Sequence, residues 1–176
     1  MNEEFPSKES ISTELLHLFQ GDQADRTSLL DDGGMQRMVS NDSARLQRGR
    51  EIYNEYNEGL VILSGDDLYS LAMLFQHGRD AEDYKIAGEL ASFSADQGNE
   101  SAKWLVAAAE DRYLLAIGEK QKWGTQFKKS ENGEYEQAPM LSDEESGVTD
   151  AMRASHGIPA RAEQLAVHLS LVQSEK

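Results

Sequence analysis

The residues able to do chemistry in this chain are few. His77 closes the run LAMLFQHG, Asp111 and Arg112 sit together in AAAEDRYLLAIG, and Asp150 and Arg153 share VTDAMRASHG. A histidine exchanges protons near neutral pH, and a carboxylate can orient it or act as a base itself. Arginine offers five N–H donors in a fork that suits a carboxylate or a phosphate. Neighbours on a helix point about 100° apart, so Asp111 and Arg112 do not pair with each other. The candidate partners for Asp111 and Arg112 are Asp150, Arg153, Gln121, Gln126 and His77. The segment QKWGTQ adds the amides of Gln121 and Gln126, the indole of Trp123 and the hydroxyl of Thr125. A pocket built from these groups would clamp an anion between Arg112 and Arg153. Gln121, Trp123, Thr125, Gln126 and Asp150 would orient it, and His77 or Asp111 would serve as the base if a reaction occurs. The competing reading is structural: an Asp–Arg network that locks a loop onto helices.

These residues need elements to hold them. From Ile11, apolar residues at Leu15, Leu18 and Phe19 predict a first helix that ends at the glycine pair Gly33-Gly34. A second helix is predicted over Ser40–Asn57, with Ala44, Leu46 and Ile52 inward. In the third, Ser64 caps the N-terminus, Asp66 and Asp67 suit its positive end, and Leu68, Leu71, Ala72 and Phe75 share a face. Two alanine-rich helices then meet through Gly98-Asn99 as an antiparallel hairpin, the second burying Leu105, Val106, Ala109, Tyr113, Ala116 and Ile117. After Gly118 the helical period is lost. The Asn132-Gly133 pair predicts a two-residue turn that joins Thr125–Phe127 to Tyr135–Ala138. SDEESGVTD is expected as a loop, Thr149 or Asp150 as the cap of a short helix, and Pro159 as the start of a last helix with Ala162, Leu165, Ala166 and Leu169 inward.

Composition narrows the function. The chain has 176 residues, enough for one domain that buries roughly two-thirds of its unfolded surface. Residues 1–9 are expected as a frayed leader and 10–176 as a single helical domain carrying a β-hairpin insertion at about 124–140. The absence of cysteine removes disulfides and thiolate chemistry, and the polar start lacks the pattern of a signal sequence, so a cytoplasmic setting is expected. A formal net charge of -15 repels nucleic acid and anionic membranes. Four histidines without a ligand-type spacing predict no metal site, and no cofactor is expected. Gly33-Gly34 lacks the context of a phosphate loop, Ser155-His156 lacks that of a nucleophile elbow, and Asp143–Glu145 lacks that of a calcium loop.

Two resemblances follow from these letters. A-G-E-L-A-S-F-S-A-D-Q-G-N-E-S-A-K-W-L resembles one unit of the tetratricopeptide or Sel1-like repeats, which implies stacked helical hairpins. D-R-Y-L-L-A-I-G-E-K-Q-K-W-G-T-Q-F, the later V-T-D-A-M-R-A-S-H-G-I and Gln76-His77-Gly78 together resemble a bacterial family of domains of unknown function, with an Asp22-to-Arg26 stretch upstream. Trp123 stands where that family commonly has tyrosine. The expectation is a mainly α protein with a small β-hairpin near 125–138. In function it is a cytosolic bacterial binding or interaction protein, taking a small anionic ligand or a protein partner at the helix–hairpin junction. A small cofactor-independent hydrolase or transferase, or an acidic protein neutralising a basic toxin, are the alternatives. The oligomeric state has no signal.

Overall fold

The computed structural model describes residues 8–27 and 34–174. The first five helices are α1 (Lys8–Thr27), α2 (Gly34–Asn57), α3 (Gly65–Gln76), α4 (Ala81–Asp96) and α5 (Glu100–Ala116). A hairpin of β1 (Phe127–Lys129) and β2 (Tyr135–Gln137) follows, and then α6 (Asp143–Ser146), α7 (Asp150–Ser155) and α8 (Gln164–Ser174). The protein is mainly α with a small antiparallel hairpin, as its sequence predicts. The Gly33 half of the predicted break lies outside the described residues, and Gly34 already belongs to α2. That helix therefore starts six residues before the predicted Ser40.

The main core is shared by α1 to α5. Ile11 and Leu15 from α1, Leu46 and Ile52 from α2, and Leu68, Leu71, Ala72 and Phe75 from α3 meet Ala87, Leu90, Leu105 and Ala109 from the α4–α5 pair. Edge-on ring contacts join Tyr53 to Phe75 and Phe19 to Tyr69 at 5.5 and 5.8 Å, so α3 is held from both α2 and α1. The start of α3 is fixed by a capping box: Ser64 caps the Asp67 amide, and the Asp67 carboxylate takes the Ser64 amide at 2.9 Å. Ser12 of α1 donates to the same carboxylate at 2.9 Å, which turns a local cap into an interhelical tie. Asp83 plays a similar part at α4, taking the amides of Arg79 and Asp80 and the guanidinium of Arg50.

Several faces differ from the periodicity. Ala44 is exposed, because α2 turns Leu46, Gly49 and Ile52 inward. Ala116 and Ile117 are exposed too, since the core beneath α5 ends at Ala109. α5 instead buries a second side, where Ala107 joins Trp123, Val148 and Ile158 in a small separate cluster. α5 is thus a wall between the helical bundle and the C-terminal unit.

In that unit, Phe127 pairs with Gln137 and Lys129 with Tyr135, so Thr125 is outside the strand. The turn is longer than the predicted two residues: Ser130 and Glu134 close it through Ser130 N to Glu134 O at 2.8 Å, and Gly133 supplies the positive φ. Asp143–Ser146 is helical rather than a loop, because Ser142 and Glu145 form a capping box at its start. α8 begins at Gln164, and Pro159 lies in the turns before it. Its predicted inward face, Ala162, Leu165, Ala166 and Leu169, is exposed, while Gln164 is buried and His168 stacks on Phe127 with centroids 4.0 Å apart. α8 packs on a polar hairpin, so an aromatic stack and an amide take the place of a leucine seam.

Candidate functional site

The residues expected in one pocket are divided between the two sides of α5. On the C-terminal side, Asp111 is fully buried and its carboxylate collects five hydrogen bonds. Oδ1 accepts from the amides of Lys122 and Trp123 at 2.7 and 2.8 Å; Oδ2 accepts from the amides of Gly124 and Thr125 and from the Thr125 hydroxyl at 2.8 to 2.9 Å. A buried carboxylate is tolerated when such donors surround it. Gln121 is equally occupied: its amide nitrogen donates to the carbonyls of Gln126 and Ala138, and its oxygen accepts from Gln126 N. The Gln126 side chain donates to Thr125 Oγ1 at 2.9 Å.

Arg153, also fully buried, completes the arrangement. It donates to the Trp123 carbonyl, to Asp150 Oδ1 at 2.9 Å and to Asp143 Oδ1 at 2.6 Å. These contacts hold the Asp143 and Asp150 carboxyls below the ordinary range, Asp143 mainly through Arg153 and Asp150 mainly through the Arg161 amide. Gln164 donates to the Trp123 carbonyl and accepts from Gln137. Gly124 fits between those two amides with φ +89°, and any Cβ there would collide with the Gln164 side chain. Trp123 donates its indole N–H to Glu110 and lies against His156. Asp111, Gln121, Trp123, Thr125, Gln126, Asp150 and Arg153 thus come together, with their polar atoms spent on one another.

On the other side of α5 lies a different group. His77, just past α3, brings Nδ1 to 2.8 Å from Asp22 Oδ1, and Asp22 is itself buried. Arg26, one helical turn after Asp22 on α1, places Nε 3.2 Å from His77 Nε2 and its two terminal nitrogens on the Asp42 carboxylate at 3.1 and 3.3 Å. Guanidinium nitrogens only donate, so His77 Nε2 accepts; the ring is then neutral, with its proton on Nδ1 and donated to Asp22. Arg45 bridges Asp42 and Asp25 at 2.9 and 2.6 Å and extends the chain of charges across α1 and α2. Burial works against the charge on Asp42, but the bonds from Arg26 and Arg45 outweigh it and hold its carboxyl below the ordinary range.

His77 and Asp42 line a cleft of about 320 Å³, together with Val39, Arg50, Gly78 and Asp83. Arg112 belongs to this side. Its guanidinium carbon is 6.0 Å from the Tyr84 ring centroid, and the Tyr84 hydroxyl donates to the carbonyl of the cleft residue Gly78 at 2.9 Å. Its Nε is buried without an acceptor among the described residues, and burial pulls the guanidinium below its ordinary value, against the opposing pull of Tyr84 and with Arg26 adding repulsion. Gln76, next to His77 and 2 % exposed, has neither amide atom paired among the described residues. None of the expected partners of Arg112 meets it, and His77 is served by α1 instead of the hairpin.

The Asp22 and Arg26 pair could be read from its four-residue spacing on a helix. Asp42 carried no such signal, because it is defined by the arginines it meets in space, and Gln76 stood out only beside His77. Compared with protein-family models, curated proteins and solved structures, the chain has no match.

Proposed function

We propose that this protein binds a small anion in the cleft between α2, α3 and α4, where Arg26 meets His77 and Arg112 stands behind Tyr84. The observation that carries this reading is Arg112: a largely buried arginine with an unpaired Nε and no carboxylate among the described residues. Leaving a cation desolvated and unpaired is costly, and a ligand that supplies the missing charge recovers that cost. The hairpin side supports this reading much less, because its donors and acceptors already satisfy one another.

The test is a thermal-shift panel of inorganic and organic anions on the wild type and on Arg112→Leu. A ligand at a hundred times its Kd stabilises by about 2.7 kcal/mol, which for a chain of this size raises Tm by roughly 5–10 °C. The shift should occur in the wild type and vanish in the variant, while the variant's own Tm stays close to that of the wild type. Equal shifts in both proteins, or no anion that shifts either, would remove the reading.

A second reading rests on the Asp22–His77 contact, the carboxylate–imidazole arrangement of a general base. On that reading the same cleft belongs to a small hydrolase or transferase. Turnover of an anionic ester that disappears in His77→Gln would favour it over simple binding.

A further inference from the structure

The bond between Arg26 and His77 sets a condition on what the cleft can accept. The Nε2 lone pair points at an N–H of Arg26 at 3.2 Å. A fully deprotonated oxyanion, such as sulfate or an ionised carboxylate, brings only lone pairs. It cannot replace Arg26 at Nε2 unless that nitrogen gains a proton, because two acceptors facing each other repel. We propose that Asp22, Arg26 and His77 form a proton-coupled receptor for an oxyanion, in which the ligand draws Arg26 away from Nε2 and His77 takes up one proton to donate in its place. This rests on the anion-binding reading above.

The balance of the step is simple. The N–H···N bond from Arg26 to Nε2 is exchanged for an N–H···O bond from Arg26 to the anion. A proton from solvent binds Nε2, which then donates to a second anion oxygen, and Nδ1–H stays on Asp22. Arginine's fork accepts two oxygens of either a planar carboxylate or a tetrahedral phosphate or sulfate, so the shared chemistry is an oxyanion with two free oxygens.

Charge bookkeeping supports the proton's arrival. Facing His77 from α1 and α2 are Asp22, Arg26 and Asp42, of which Arg26 alone is cationic. Arg50 and Asp83 pair across the cleft, and Arg79 and Asp80 line it beside them. Arg112 contributes the remaining positive charge from α5. With neutral His77 this set comes to four aspartates and four arginines, in a chain whose net charge is -15. It is neutral ground in an acidic protein, and an incoming anion leaves it short of one positive charge. The imidazolium supplies that charge, and the buried Asp22 stabilises it.

The experiment is calorimetry with sulfate, which does not titrate near neutrality, in two buffers of different ionisation enthalpy at one pH and ionic strength. Formate is run in parallel to separate tetrahedral from planar ligands. The expected result is uptake of about one proton per anion bound, with an affinity that falls about tenfold from pH 7 to pH 8 by linkage. His77→Gln should bind with no uptake. If that variant misfolds, the imidazole ¹⁵N resonances of the wild type give the same answer: a neutral ring protonated at Nδ1 without anion, and an imidazolium with it. Sulfate or formate binding with no proton uptake and an unchanged ring overturns this inference and leaves the anion-binding reading standing. If neither anion binds, both fall.

Discussion

Asp111 serves a loop more than a ligand. One carboxylate gathers four successive amides and a hydroxyl, so its two oxygens do for residues 122–125 what a strand partner would do for a sheet edge. Asp111→Asn keeps the shape but replaces one acceptor oxygen with an NH₂ that faces donors. That leaves two or three buried N–H groups unpaired, and the loss should be on the order of 3 kcal/mol, or roughly a 10 °C fall in Tm by calorimetry. Arg112, its neighbour, has the opposite status, with a buried Nε–H that finds no acceptor among the described residues. Both residues could be singled out from the sequence as charges on a mostly apolar helix that need partners. Which partners they have depends on the 100° between them, and that angle sends one to the hairpin and the other to the bundle.

At the scale of elements, the helices were legible wherever a cap coincided with a clear apolar period. Ser64 caps as read, Thr149 rather than Asp150 is the cap of α7, and Asn99, read only as part of the connection, caps α5; each accepts an amide from its first turn. α8 was not legible, because its leucines suggest a core-facing stripe while the structure buries Gln164 and exposes Leu165, Leu169 and Leu171. The polar surface it packs on had already been fixed by the hairpin's own register. The α3–α4 connection carries the strictest local demand. A Cβ at Gly78 would run into the Asp83 side chain, which is held by two amides and Arg50. Gly78→Ala should therefore cost about 1–3 kcal/mol as overpacking at a buried site. It should also weaken anion binding in the cleft, whereas Gly59→Ala, where a Cβ meets no atom, costs only its positive φ. Denaturant melts of both variants with an anion titration would show whether the two losses separate in this way.

Across the whole molecule, acidity is distributed with a purpose. No described helix is long and apolar enough to cross a membrane. Carboxylates outnumber basic residues by 32 to 17, yet those between α1 and α2 are matched by arginines. Asp25 is held below its ordinary range first by Asn41 and then by Arg45, Glu14 by Arg48, and Asp42 by Arg26 and Arg45 against its burial. Groups whose folded value is depressed contribute stability that is complete above the unfolded carboxylate range, about pH 4, and is lost as pH falls through the lower folded values. Stability measured by urea melts should thus be flat from pH 7 to about pH 5 and drop below it, and Asp42→Asn should flatten part of that drop. The fold class could be read from periodicity and composition. The site could not be read as a whole, because the cleft is lined from α2, the α3–α4 connection and the start of α4, with Asp22 and Arg26 of α1 behind His77, and no sequence spacing records where these segments converge.

One consequence concerns exchange with solvent. Residues 122–125 belong to neither a helix nor a strand, so their amides would be assigned to the fast class by inspection of the secondary structure. All four point at a single buried carboxylate, two at each oxygen. In deuterium exchange this stretch should be slow, protected like the interior of α5, and Asp111→Asn should speed the pair of amides that faces the new NH₂ more than the pair that keeps an oxygen.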